Sequence, residues 1–154
     1  MMRNCLTLAL AVFLALAGSA LAAGTTTGNT EPDLSSYAQA EELIEAADYE
    51  DALAILEELN REESGNPDVL NLLGYASRKL GRIEDAFDYY RQALAIDPLH
   101  LGANEYLGEL YLETGDIGRA EERLAELAVA CPDGCEEREE LAEALAAYRE
   151  SQGQ

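Results

Sequence analysis

The chain repeats itself at a spacing of 34 residues, and this self-similarity limits its fold more than any other property. Gly74 recurs at Gly108, Gly81 at Gly115, Ala86 at Ala120 and Pro98 at Pro132, while Leu73, Ile83 and Ala93 are answered by Leu107, Ile117 and Leu127. A unit this short cannot bury an apolar face alone and has to stack on its neighbours. Within the first clear unit a helix is predicted over Asp68 to Leu80, opened by Asn66-Pro67, where the Asn side chain caps free amides and Pro suits the first turn. Gly81 supplies the left-handed residue that ends it. A second helix over Arg82 to Ile96 puts Ala86, Tyr90, Ala93 and Leu94 on one face, and Asp97-Pro98 stops it because proline cannot continue a helix. Leu101 to Thr114 and Asp116 to Ala130 repeat this plan. Small residues at Gly74, Ala86, Gly108 and Ala120 are expected to let the paired helices approach closely.

These residues resemble the tetratricopeptide repeat family, whose signature combines an aromatic, Leu-Gly, Tyr, Ala, a second aromatic and Pro. Leu70, Leu73-Gly74, Ser77, Ala86, Tyr90 and Pro98 stand at its positions, followed by Asn104, Leu107-Gly108, Tyr111, Ala120, Leu124 and Pro132, with Ser77, Asn104 and Leu124 as departures. A worn copy precedes them. In it Tyr49, Ala52, Leu56 and Leu59 keep the second helix, while Gln39-Ala40 and Ser64 replace Leu-Gly and Pro. The resemblance implies an all-α solenoid of antiparallel helix pairs, with a degenerate repeat at residues 33–66 and clear repeats at 67–100 and 101–134. A capping helix and tail occupy 135–154, where Leu141, Ala144, Leu145 and Tyr148 share a face and Asp133 with Glu136 has the spacing of a capping box. Seven helices are therefore expected.

Residues 1–22 read as a secretory signal peptide: Arg3, an apolar run from Cys5 to Ala17, then Ala20-Leu21-Ala22 as a cleavage site. Residues 23–32 hold turn formers without an apolar period and read as a flexible leader. No Cys adjoins the cleavage point, and the apolar run is short of the ~20 residues that span a bilayer, so no stable membrane insertion is expected after cleavage. Nine Arg against one Lys, with abundant Ala, Gly and Leu, suggests a GC-rich bacterial genome, and hence a bacterial periplasm as the destination.

Acids outnumber bases 31 to 10, giving net charge −21, which argues against nucleic-acid binding because that depends on clustered Lys and Arg. Phosphate loops, His-Glu-x-x-His and Gly-x-Ser-x-Gly are missing, and the single His, His100, lies between repeats as a surface residue, so neither an enzyme nor a cofactor or metal site is expected. Cys131 and Cys135 flank a Pro-Asp-Gly turn and are expected to form a structural disulfide in an oxidising compartment.

The resemblance also implies a concave groove lined by the first helix of each pair. On this chain the groove positions are Tyr37, Glu41 and Glu45, then Asn71, Tyr75, Arg78 and Lys79, then Glu105, Glu109, Leu112 and Glu113, with Glu139 and Glu143 on the final helix. The groove is thus mainly negative with one basic spot, Arg78-Lys79. Family members that clamp acidic carboxyl tails offer Lys and Asn where this chain has Tyr37 and Glu41, and Lys and Arg where it has Glu105 and Glu109. A basic or neutral segment of another envelope protein is the expected partner of a non-catalytic adaptor or scaffold. A thiol–disulfide accessory using Cys131 and Cys135, or a module that stacks on copies of itself, is the alternative. Intact mass of the exported protein tests both covalent expectations at once: the chain should begin at Ala23 and weigh two hydrogens less than its reduced form. A mass retaining Met1, or one unchanged by reduction, refutes the corresponding expectation.

Overall fold

The computed structural model describes residues 34–153, so the signal peptide and leader expected at residues 1–32 lie outside the described residues. Those residues form seven α-helices and no strand: α1 (Leu34–Glu45), α2 (Tyr49–Glu62), α3 (Pro67–Lys79), α4 (Ile83–Ile96), α5 (Leu101–Glu113), α6 (Ile117–Ala130) and α7 (Glu136–Ser151). Consecutive helices pack as the pairs α1–α2, α3–α4 and α5–α6. The odd-numbered helices α1, α3, α5 and α7 also pack in succession along one side.

Each pair turns within three residues by the same device. At Gly81 (φ +74°) and Gly115 (φ +84°) the backbone enters the left-handed region, where a missing Cβ removes the steric penalty. Arg82 N–H then donates to Ser77 O (2.9 Å), and Asp116 N–H to Tyr111 O (2.8 Å). The worn first repeat keeps this geometry without its glycine: Ala47 sits at φ +61°, and Asp48 N–H donates to Leu43 O at 2.8 Å. At the start of α3, Asn66 Oδ1 accepts from Asp68 N–H (2.9 Å) and Val69 N–H (3.4 Å), with Pro67 in the first turn, as the sequence predicts.

A single core runs through all the pairs. Leu56, Leu73, Tyr90, Leu110, Leu127 and Leu141 are fully buried in it. Two glycines let its helices close together. A Cβ on Gly74 would lie 2.6 Å from the Tyr90 ring, inside the α3–α4 pair. A Cβ on Gly108 would lie 2.5 Å from Leu141, so this glycine serves contact between α5 and α7 rather than the α5–α6 pairing expected of it.

The expected capping box at Asp133 and Glu136 does not form. Cys135 occupies the cap position of α7 in an extended conformation, Glu136 is already the first helical residue, and no side chain caps the helix. The reason is that the loop before α7 spans Cys131 to Cys135, one residue longer than the loop from Asp97 to His100 before α5. That extra residue moves the start of the helix past the motif.

Tyr90 is wholly buried, yet its hydroxyl has no hydrogen-bond partner, which disfavours the folded state. Urea unfolding should therefore separate two changes at one contact. Tyr90→Phe keeps the ring against Gly74 and is expected to leave stability unchanged or raise it by up to ~1 kcal/mol. Gly74→Ala drives a methyl into the ring and is expected to cost about 1–2 kcal/mol after the helix preference of Ala is credited.

Candidate functional site

Groove-facing positions recur every four residues along the odd-numbered helices because one side of an α-helix repeats at that spacing. On α5 they are Glu105, Glu109 and Glu113. Counting 35 residues onward, to allow for the longer loop, gives Glu140, Ala144 and Tyr148 on α7, and these side chains do face the same two cavities as the α5 residues. The expected Glu139 and Glu143 instead line a depression beside Asp133, Gly134 and Cys135. The loop's extra residue rotates the face of α7 by one position.

The first cavity, about 510 Å³, is bordered by all four odd-numbered helices: Tyr37 and Glu41 from α1, Asn71 and Leu72 from α3, Gly102, Glu105 and Tyr106 from α5, and Glu136, Glu137 and Glu140 from α7, with His100 at its edge. The second, about 430 Å³, lies further along the groove between Arg78, Glu109, Leu112, Glu113, Ala144 and Tyr148.

Sequence reasoning treats Arg78 and Lys79 as a free basic spot, and the structure corrects this. Arg78 is 10% exposed and bridges to α5: one terminal nitrogen donates to Glu109 Oε2 (2.6 Å), the other to Glu113 Oε1 (2.6 Å), and Nε to the same Glu113 oxygen (3.1 Å). Burial works to lower its basicity, but the hydrogen bonds it donates to Glu113 and Glu109 outweigh burial and hold it charged. Lys79 is exposed and lies 5.0 Å above the Tyr75 ring. Tyr75 itself is half-buried between Tyr49 (6.3 Å) and Tyr106 (5.0 Å), so it is part of an aromatic ladder joining neighbouring repeats. Leu112 is buried and lines the same cavity as Arg78, and Glu45 is exposed near the end of α1.

The largest departure from expectation is Glu105, which is 3% exposed instead of solvated. Burial pushes its carboxyl up to about 9, reinforced by a hydrogen bond with Glu140 and by the charges of Glu140, Glu109 and Glu137. The neighbouring phenols respond in the same direction: burial first, then Glu41, carries Tyr37 up to about 12, and burial with Glu105 does the same to Tyr106. Asn71 is 8% exposed, and its Oδ1 has no hydrogen-bond partner.

His100 is a joint between repeats, not a plain surface residue. Its Nδ1 accepts from Ala103 N–H (3.1 Å) to cap α5, while Nε2 stands 3.0 Å from Asp68 Oδ1 on α3. Cys131 and Cys135 have Cα atoms 6.0 Å apart and their sulfurs at bonding distance. Among the described residues no group of three or more His, Cys, Asp and Glu side chains is arranged to hold a metal ion, and no helix is long and apolar enough to cross a membrane.

Two models described as tetratricopeptide repeat match residues 37–100 and 77–146. The chain belongs to the tetratricopeptide repeat family. Among solved structures, this tetratricopeptide-repeat chain is similar to SycD, the type III secretion translocator chaperone of Yersinia enterocolitica (TM-score 0.68, 19% identity, 78% of this chain and 93% of that one). It is also similar to PcrH of Pseudomonas aeruginosa (TM-score 0.63, 22% identity, 76% and 88%). SycD has been solved with a peptide of the translocator YopD, and PcrH with the chaperone-binding regions of PopB and PopD. At such identities the likeness establishes the fold. No curated protein sequence matches the chain.

The raised Glu105 carboxyl predicts an unusual pH dependence. Folded Glu105 keeps a proton that the unfolded chain releases near its ordinary value of 4.5, so its contribution to stability is complete below 4.5 and is lost as pH rises to about 9. Chemical unfolding from pH 5 to pH 9 should show the parent weakening relative to Glu105→Gln. Parallel curves would refute the buried, protonated carboxyl.

Proposed function

We propose that this protein is a non-catalytic interaction adaptor that holds an extended basic or neutral segment of a partner protein in the groove along α1, α3, α5 and α7. One observation carries the reading: Arg78, the half-buried cation that α3 presents to the groove, is taken up by Glu109 and Glu113, which leaves Glu41, Glu136, Glu137 and Glu140 to set the polarity of the larger cavity. A negative surface with aromatic walls favours a positive partner, raising capture rate and selectivity more than affinity. That SycD and PcrH have been solved with segments of other proteins supports a peptide ligand in this fold. The signal-peptide pattern of residues 1–22, with Arg3, an apolar run and Ala20-Leu21-Ala22, supports the periplasm or cell envelope as the site of action, with Cys131 and Cys135 clamping the loop before α7.

Fluorescence anisotropy with labelled twelve-residue peptides, equal in length and graded in charge from acidic to basic, tests the groove. Basic and neutral peptides should bind and acidic ones should not, and the preference for basic sequences should shrink as salt rises, because exposed charges are screened. Glu41→Lys with Glu137→Lys should weaken the basic peptides about tenfold or more at low salt while circular dichroism stays unchanged. Equal binding of all charges, or no loss in the double variant, overturns the reading.

A further inference from the structure

The larger cavity contains more than a charged wall. Glu105 on α5 is 97% buried, since only 3% of it is exposed, and it pairs with another carboxyl, Glu140 on α7, rather than with a cation. Asn71 on α3 borders the same cavity, more than nine-tenths buried, with an Oδ1 that accepts nothing. Native chains rarely leave such an acceptor empty, because it has lost water without gaining a donor. Two carboxyl groups and an unpartnered amide side chain, from three helices, therefore border one cavity that no Lys or Arg lines. The half-buried rings of Tyr37 and Tyr106 stand at the same cavity and could flank an alkyl stem.

We propose that this cavity is a specific subsite for the side-chain ammonium of a lysine in the bound segment, with Glu105, Glu140 and Asn71 Oδ1 as its three acceptors. An ammonium suits the site because it is a compact charge with three donors directed apart, whereas a guanidinium offers a planar fork suited to a single carboxylate. The subsite rests on the groove reading above and specifies its anchor. Empty, the cavity holds a proton on Glu105. An entering ammonium replaces that proton's charge, and the proton leaves to solvent: one cation enters and one proton departs.

Other groups at the site are accounted for. Glu41 approaches from α1, Glu136 and Glu137 from α7, and Glu109, engaged by Arg78, from further along α5. His100 and Asp68 face each other at the rim, where His100 also caps α5. The phenols of Tyr37 and Tyr106 are pushed up to about 12 and stay neutral throughout the test.

The experiment is an NMR titration of the mature protein with acetyl-Gly-Lys-Gly-amide, the same peptide bearing norleucine for Lys, and free cadaverine, at pH 7, 8 and 9. The lysine peptide should perturb the Glu105 and Glu140 carboxyl carbons and the Asn71 side-chain amide, and its binding should tighten by up to tenfold for each pH unit raised from 7 toward 9, because the departing proton competes with the ammonium. The norleucine peptide should leave these signals unmoved. Glu105→Gln should hold affinity at the parent's pH 7 level across the range. His100→Asn, which preserves a capping side chain, should keep the parent's pH dependence. Equal shifts from the norleucine peptide, affinity independent of pH, or cadaverine binding as tightly as the peptide each overturn the subsite. Should the graded peptides bind Glu105→Gln as they bind the parent at pH 9, the subsite falls and the groove stands. If those peptides show no charge preference at all, the groove reading falls with it.

Discussion

The close contact of helices at Gly74 and Gly108 is the constraint on which the rest of the molecule depends. Each glycine brings a helix backbone against a buried side chain, Tyr90 in one case and Leu141 in the other, at a spacing no Cβ would permit. The two contacts do different work. Gly74 sets the separation of the helices within a pair, and with it the tilt at which α3 presents Asn71 and Arg78 to the groove. Gly108 sets how closely α7 lies against α5, so it determines whether Glu140 can reach Glu105 and whether Ala144 and Tyr148 close the second cavity. A change at either glycine would alter the groove without touching a groove residue.

The helical plan was legible because its signals are local and repeated. Proline and asparagine open α3, glycines with positive φ end α3 and α5, and the turn survives at Ala47, where the glycine has been lost but the hydrogen bonds persist. Departures from the repeat signature also acquire a reason. Asn104 is fully buried, with Nδ2 donating to Pro98 O and His100 O (3.0 Å each) and Oδ1 accepting from Arg123 (3.1 Å), so it ties the inter-repeat loop to α6. What could not be read was whatever depends on one helix's rotation relative to another. The one-residue extension before α7 changes the groove-facing set from Glu139 and Glu143 to Glu140, Ala144 and Tyr148, and a fixed period of 34 conceals it. The Asp133–Glu136 spacing hides the shift as well, because α7 begins at Glu136 behind Cys135 and not behind Asp133.

Charge was legible in total and illegible in distribution. A net −21 predicts a negative groove, but composition cannot say which acids meet water and which meet each other. The structure divides them into three kinds. Most, such as Glu41 and Glu45, are exposed and weakly coupled to anything. Glu109 and Glu113 are structural, because they hold Arg78 and thereby join α3 to α5. Glu105 is neither solvated nor paired with a cation, and its partner Glu140 comes from a helix outside the repeat that carries it.

This division places the groove's two cavities in different states. The one around Arg78 is electrostatically complete: its cation is matched by two carboxylates, and a further charge entering there would have to displace one of them. The one around Glu105 is incomplete, since carboxyl faces carboxyl and an amide oxygen lacks a donor. Completing it inside the chain would require a Lys or Arg at a neighbouring position such as Tyr106 or Glu137, and the sequence provides none at either. A solenoid needs no such gap for its own stability, because an apolar residue of similar size at position 105 could fill the same buried space with less cost to the fold. The polarity of that position is therefore a constraint the helices do not impose on themselves, and a cation supplied from outside is the simplest chemistry that accounts for it.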